Sequence, residues 1–143
     1  MSAPLYNTDI LRLAASIPHH QRLPDPHGTA ERRSPICGSR VTVDVDLGPD
    51  GRVAQVGLLV RACALGQASA SLLAADILGR TPAELAAERD AVTAWLAREG
   101  EAPVWPGLAV LTPALDYPAR HASIRLAFEA AAEAARLAAE RAG

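Results

Sequence analysis

Lysine is missing from this chain of 143 residues: the 14 basic side chains are all arginine. They are dispersed, the longest basic run is Arg32-Arg33, and the formal net charge is −2. Binding a phosphate backbone needs clustered cations, so the composition argues against a nucleic-acid surface. Aromatic residues make up only 3% of a chain that is 50% hydrophobic, so Leu, Val, Ile and Ala must build the core. No apolar run approaches the ~20 residues a membrane span requires. The N-terminus, Met1-Ser2-Ala3-Pro4-Leu5-Tyr6, has neither the charged nor the apolar region of a signal peptide, and the expected compartment is the cytoplasm. Cysteine is also scarce, with Cys37 and Cys63 alone. A disulfide between them is one reading. In a reducing compartment two thiols point instead to metal binding or catalysis. The length suits one domain, 1–143, able to bury a core without staples, and no internal repeat is visible.

What is present reads as an α+β chain. Thr8-Asp9-Ile10 opens a first helix with Ile10, Leu11, Leu13, Ala14 and Ile17 on its apolar side, and Pro18 ends it. Residues His19 to Arg33 hold three histidines, two prolines and a glycine, and read as a loop. From Arg40 the period becomes two: Val41, Val43 and Val45 alternate with Thr42, Asp44 and Asp46, predicting a strand with one wet face. Gly48-Pro49-Asp50-Gly51 is a turn, and the return strand to Ala62 places Ala54, Val56, Leu58, Val60 and Ala62 on one face. The antiparallel hairpin 40–62 should therefore form the centre of a small sheet packed on one face by helices.

Three further helices are expected. Leu65, Ala68, Leu72 and Ala75 make a helical stripe that stops at Gly79. Thr81-Pro82-Ala83-Glu84 is a capping box with proline at the first helical position, followed by Leu85, Val92, Trp95 and Leu96. Gly100 to Pro106 reads as a linker, and Leu108 to Leu115 as either a short helix or irregular chain. The last helix carries Ile124, Phe128, Ala131, Ala135 and Ala138 on one side, with Arg125, Glu129, Arg136 and Glu140 on the wet side. Its alanine-rich face is expected to pack on the sheet; the sequence leaves both a monomer and a homodimer open.

The chemistry concentrates at one end of this plan. The hairpin turn lies at one end of the two strands, so Cys37, before the first, and Cys63, after the second, lie at the other. Cys63 sits where a strand gives way to a helix, near unpaired N–H groups and the positive end of the dipole, an environment that favours thiolate. Taken singly, either thiol reads as a small buried hydrophobe, and a histidine ahead of a helix as a cap.

In order along the chain stand Ser34-Pro35-Ile36-Cys37-Gly38-Ser39, the hairpin, Ala62-Cys63-Ala64-Leu65-Gly66-Gln67-Ala68-Ser69-Ala70-Ser71, and His121-Ala122-Ser123-Ile124 at the last helix. This ordered set resembles the IscU/NifU-type scaffold proteins of iron–sulfur cluster assembly over almost the whole length. The resemblance implies a site in which Cys37 matches the first of three family cysteines, Cys63 the second, and His121 the histidine before the third. Two positions depart: Ser39 stands in place of the family's aspartate, and Ala122 in place of its third cysteine.

By resemblance the chain is a binding module and not an enzyme. It holds iron and sulfur, or a labile [2Fe–2S] cluster, through Cys37, Cys63 and His121 and passes it to apo-proteins, with a cysteine desulfurase as the other partner. Such a cluster takes four ligands, and this set supplies three. Three ligands with an open position also describe zinc, so the alternative is a degenerate homologue that binds zinc or no metal and works through protein contacts. A Cys63 nucleophile with His121 as base is a third reading, for which the sequence names no orienting acid and Asp116 is a guess. The family's chaperone-docking segment is not matched by Asp116-Tyr117-Pro118-Ala119-Arg120.

Overall fold

The computed structural model describes residues 6–35 and 38–142. Its order is α1 (Thr8–Ala15), β1 (Gly28–Arg33), β2 (Arg40–Leu47), β3 (Val53–Arg61), α2 (Ala64–Asp76), α3 (Pro82–Leu96) and α4 (His121–Ala142). Two 3₁₀ segments, Leu108–Asp116 and Pro118–Arg120, lie between α3 and α4. The sheet is antiparallel throughout, in the order β1-β2-β3.

The hairpin forms as its period predicts. Arg40 pairs with Arg61 and Val45 with Val56, and Gly51 takes a φ of 76° in the turn. The amide of Gly48 donates to the Arg52 carbonyl at 2.8 Å. A register shift at Asp46/Leu47 corrects one detail of the expected pattern. Val53 is buried in place of Ala54, which is exposed, because the irregularity moves the inward position by one residue.

The segment from His19 to Arg33 departs from the expected loop, because its last six residues are strand β1. Gly-Thr-Ala-Glu-Arg-Arg shows no apolar alternation, having only Ala30 buried below 10% among its side chains with a Cβ. Its ladder is supplied by β2, from Gly28 opposite Val45 to Arg33 opposite Arg40. Gly28 is required by packing: a Cβ there would lie 2.0 Å from the Ala134 carbonyl oxygen on α4.

The remaining loop, residues 19–27, folds back over the sheet. It covers the face expected to be wet, so Asp44 is fully buried. The Asp44 carboxylate accepts from Arg22 Nε at 2.6 Å, the Leu23 amide at 3.0 Å and Thr29 Oγ1 at 2.8 Å. That hydrogen bond, more than the accompanying charge attraction, raises the Arg22 pKa against the opposing cost of burial. The same loop follows β3 along its free side: the Leu58 amide donates to the His19 carbonyl at 2.9 Å, and the Val60 amide to His20 Nε2 at 3.2 Å. His20 therefore holds the β3 backbone through its ring while the residue as a whole remains exposed.

The opposite face carries the apolar core. Val41, Val43, Val45, Leu58 and Val60 pack with Leu65, Leu73, Ile124, Phe128 and the alanines of α4. Helix α4 contacts β1, β2, α2 and α3, so its alanine face meets the sheet as expected. Helix α2 is buried on nearly every side rather than along one stripe, and the expected stripe member Ala75 is exposed. The reason is that α2 is enclosed by both α1 and α4. On α1, Leu11 is exposed and Ile10 is the fully buried residue; Asn7 caps the helix by accepting from the Ile10 amide.

The capping box at α3 forms, with Thr81 Oγ1 accepting from the Glu84 amide at 3.1 Å. The linker contributes a core residue that its composition does not announce. Trp105 is 2% exposed, donates its indole N–H to the Leu72 carbonyl at 2.8 Å, and meets Phe128 edge-on at a centroid distance of 5.4 Å. Among the described residues, no helix is long and apolar enough to cross a membrane.

Candidate functional site

Three pieces of chain converge at the end of the sheet away from the Gly48–Gly51 turn. The first is the connection from β1 to β2. The Ser34 amide donates to the Ser39 carbonyl at 2.8 Å and the Gly38 amide to the Ser34 carbonyl at 3.0 Å. Gly38 has a φ of 73°, a conformation that favours glycine. Cys37, the expected first ligand, lies outside the described residues, as does Ile36; Gly38, Ser39 and Arg40 after it stand at this end.

The second piece is the start of α2. Cys63 is the N-cap residue, partly buried and free of any disulfide, with extended backbone angles of φ −65° and ψ 170°. Its side chain makes no capping hydrogen bond, so the sulfur is not consumed in ending the helix. The Cys63 carbonyl accepts the first intrahelical bond, from Gln67, at 2.9 Å.

The third is the start of α4. His121 is 8% exposed, and its Nε2 lies 2.8 Å from the Ala114 carbonyl oxygen. A carbonyl only accepts, so Nε2 carries the hydrogen and the neutral ring keeps its lone pair on Nδ1. A backbone carbonyl that fixes one ring nitrogen leaves the other oriented for a ligand. No motif announces this partner, because Ala114 belongs to the 3₁₀ segment whose conformation the sequence leaves open.

Two contacts hold the starts of α2 and α4 together. Ser69 Oγ donates to the Ile124 carbonyl at 2.7 Å within the core. Gly66 faces Ser123, where an added Cβ would be 3.4 Å from the Ser123 carbonyl oxygen and 2.7 Å from Ala62 Cβ. The close contact at Gly66 is thus with Ala62 just ahead of α2, while the helix carrying Cys63 meets the helix begun by His121 at ordinary contact distance. On the other side, Ser39 is 3% exposed and its Oγ lies 3.5 Å from Ser123 Oγ. The residue in the aspartate's place is therefore tied by a hydroxyl pair to the turn that carries Ala122.

The arrangement joins the β1–β2 connection, the Cys63 cap and the His121 turn. Among the described residues, no three His, Cys, Asp or Glu side chains form a metal-sized group. Asp116, guessed as an orienting acid for His121, points elsewhere: it is exposed and paired with Arg98. The arginines beside the two site residues also differ in setting. Arg120 is simply exposed, whereas Arg61 lines a cavity with Arg33 and Arg40.

No protein-family model matches the chain, and no curated protein matches it. Solved structures do. A NifU-like protein (N-terminal) from Brucella abortus, described as nitrogen-fixing, is 40% identical over 95% of both chains, with a TM-score of 0.89. A candidate iron–sulfur cluster assembly scaffold of the SUF system from Fervidobacterium islandicum superimposes with a TM-score of 0.83, covering 92% of this chain and 96% of its own. At 20% identity, that second likeness speaks to the fold.

Proposed function

The chain belongs to the IscU/NifU-type family of iron–sulfur cluster assembly scaffolds, and on that premise we propose that it holds iron and sulfide, or an assembled cluster, as cargo. Cys37, Cys63 and His121 are the ligands. Cys63 offers its sulfur from an N-cap where it makes no capping hydrogen bond. His121 offers Nδ1, with its ring held by the Ala114 carbonyl. Sulfur arrives from a cysteine desulfurase, and the cargo leaves to apo-proteins; the chain itself turns over no substrate.

The single observation that carries this reading is the approach of the α2 and α4 N-termini. Gly66 facing Ser123, together with the bond from Ser69 to the Ile124 carbonyl, brings the Cys63 and His121 turns to the same end of the fold. The cargo would be loosely held. Four ligands are the norm for a [2Fe–2S] cluster, and Ala122 offers a methyl where a thiolate would complete the set. Ser39, a neutral hydroxyl already 3.5 Å from Ser123 Oγ, is a poor substitute for a carboxylate. The same deficit favours a second reading, a Cys₂His zinc site with water in the fourth position.

Iron, acid-labile sulfide and zinc are to be measured after anaerobic reconstitution with a desulfurase, for the natural chain and for Cys37→Ala, Cys63→Ala and His121→Ala. Equal iron and sulfide, lost at least tenfold in both cysteine variants, is the expected result. Zinc alone would replace cluster binding by the zinc reading, and no metal at all would overturn both.

A further inference from the structure

Beyond the Asp44 carboxylate and its donors, the outer face of the sheet opens to solvent. Glu31 and Leu59, at the two ends of the next rung, are both exposed. The rung after that is arginine throughout: Arg33 on β1 is opposite Arg40 on β2, and Arg40 is opposite Arg61 on β3. Directly opposed residues share a face, and like charges placed so repel one another. Val41 and Val60 pack into the core, so the arginines that alternate with them lie on the face away from α2 and α4.

One carboxylate serves this rung. Glu31 lies 3.2 Å from Arg33 and 3.6 Å from Arg40. Arg61 is exposed and has no ion-pair partner among the described residues. Three guanidinium groups therefore stand against one carboxylate, on a chain whose formal net charge is −2. They line one cavity of about 590 Å³, with Pro35 and Gly38 on its wall.

Spacing decides what such a surface fits. Strands in a sheet lie about 4.8 Å apart, so the rung spans about 10 Å from β1 to β3. A single small anion meets one or two of the guanidinium groups. An extended peptide sets side chains of one face about 7 Å apart and reaches all three. Guanidinium forks match carboxylates, two N–H groups to two oxygens. Leu59, on the same face two residues before Arg61, offers an apolar contact that an aliphatic side chain can meet and a phosphate backbone cannot. No aromatic side chain lines the described wall, and three cations supply little of the charge or stacking that a nucleic acid needs.

We propose that the Arg33–Arg40–Arg61 rung is a docking surface for an acidic segment of a partner protein. The surface lies on a sheet face that neither Cys63 nor His121 shares, and it does not depend on the cargo proposed above.

The test uses the full, metal-free chain and a fluorescein-labelled hexaglutamate peptide, followed by fluorescence anisotropy at low salt. Saturable binding is expected. Arg61→Glu, which places a second carboxylate in the rung, should weaken it at least tenfold, since like charges brought together across an interface are strongly unfavourable. Arg61→Gln, which removes the charge without reversing it, should weaken binding about two- to fivefold. Arg12→Glu makes the same change in net charge as Arg61→Glu, but from α1 on the helix side of the sheet, and should leave the affinity within about twofold. Arg61 is exposed and unpaired, so its variants should fold; circular dichroism checks them. Absent binding, or equal losses in Arg61→Glu and Arg12→Glu, overturns the proposal. A deoxythymidylate hexamer or citrate binding as tightly as hexaglutamate overturns the assignment to an acidic protein segment, in favour of a nucleic acid or a small anion respectively.

Discussion

The two faces of the sheet are both buried, by opposite means. Under the helices, Val41, Val43, Val45, Leu58 and Val60 meet the apolar residues of α2 and α4, and burial there is driven by apolar area. Under the 19–27 loop, the same β2 strand presents Thr42, 7% exposed, and Asp44, fully buried. Burial on that side depends on hydrogen bonding, since a carboxylate removed from water is tolerated only when donors surround it. One face tolerates a change of shape at a cost set by the void; the other tolerates little change of charge, because its donors face a single acceptor.

The contrast can be broken from either side. Leu58→Ala on the helix-covered face should have the largest effect, a loss of about 2–5 kcal/mol through lost burial and the residual void, read by chemical denaturation. Asp44→Ala should cost about 2–4 kcal/mol, since it orphans the Leu23 amide, the Thr29 hydroxyl and the Arg22 guanidinium. Unlike the leucine change, it should also expose the loop, seen as faster amide exchange at Leu23 and Leu58. Gly57→Ala sharpens the difference further. Its Cβ would lie 2.3 Å from the Gln21 carbonyl oxygen, so the loop must lift while the apolar face is untouched. A cost of about 1–3 kcal/mol is expected, with exchange rising in residues 19–27 and not in α4. Equal protection changes on both faces would show that they do not behave as separate layers.

The same contrast explains what was legible in the sequence. Apolar periodicity marks a surface that packs on apolar neighbours, and it located the hairpin, the Thr81 capping box and the Ile124–Ala138 face of α4. It is silent where a polar segment is buried by a partner. β1 is recognisable only through its ladder to β2, and Asp44 reads as solvent-facing until the loop that covers it is known. At the candidate site, the strand-to-helix position of Cys63 follows from local pattern. The position of His121 before the last helix is equally local, but its tautomer is not, because it depends on the Ala114 carbonyl across a 3₁₀ segment. Arg33, Arg40 and Arg61, which line one cavity, are likewise scattered in sequence and become neighbours only through strand register, which required β1.

The histidine loop along β3 has a consequence for how copies of this chain behave in a crowded solution. A strand at the margin of a sheet offers its free amides as a template, and a second chain that adds there can begin an unwanted polymer. Here the Leu58 amide is taken by the His19 carbonyl and the Val60 amide by His20 Nε2. The loop works as a stopper, ending the β-ladder at three strands on that side and keeping this margin from seeding chain-to-chain pairing.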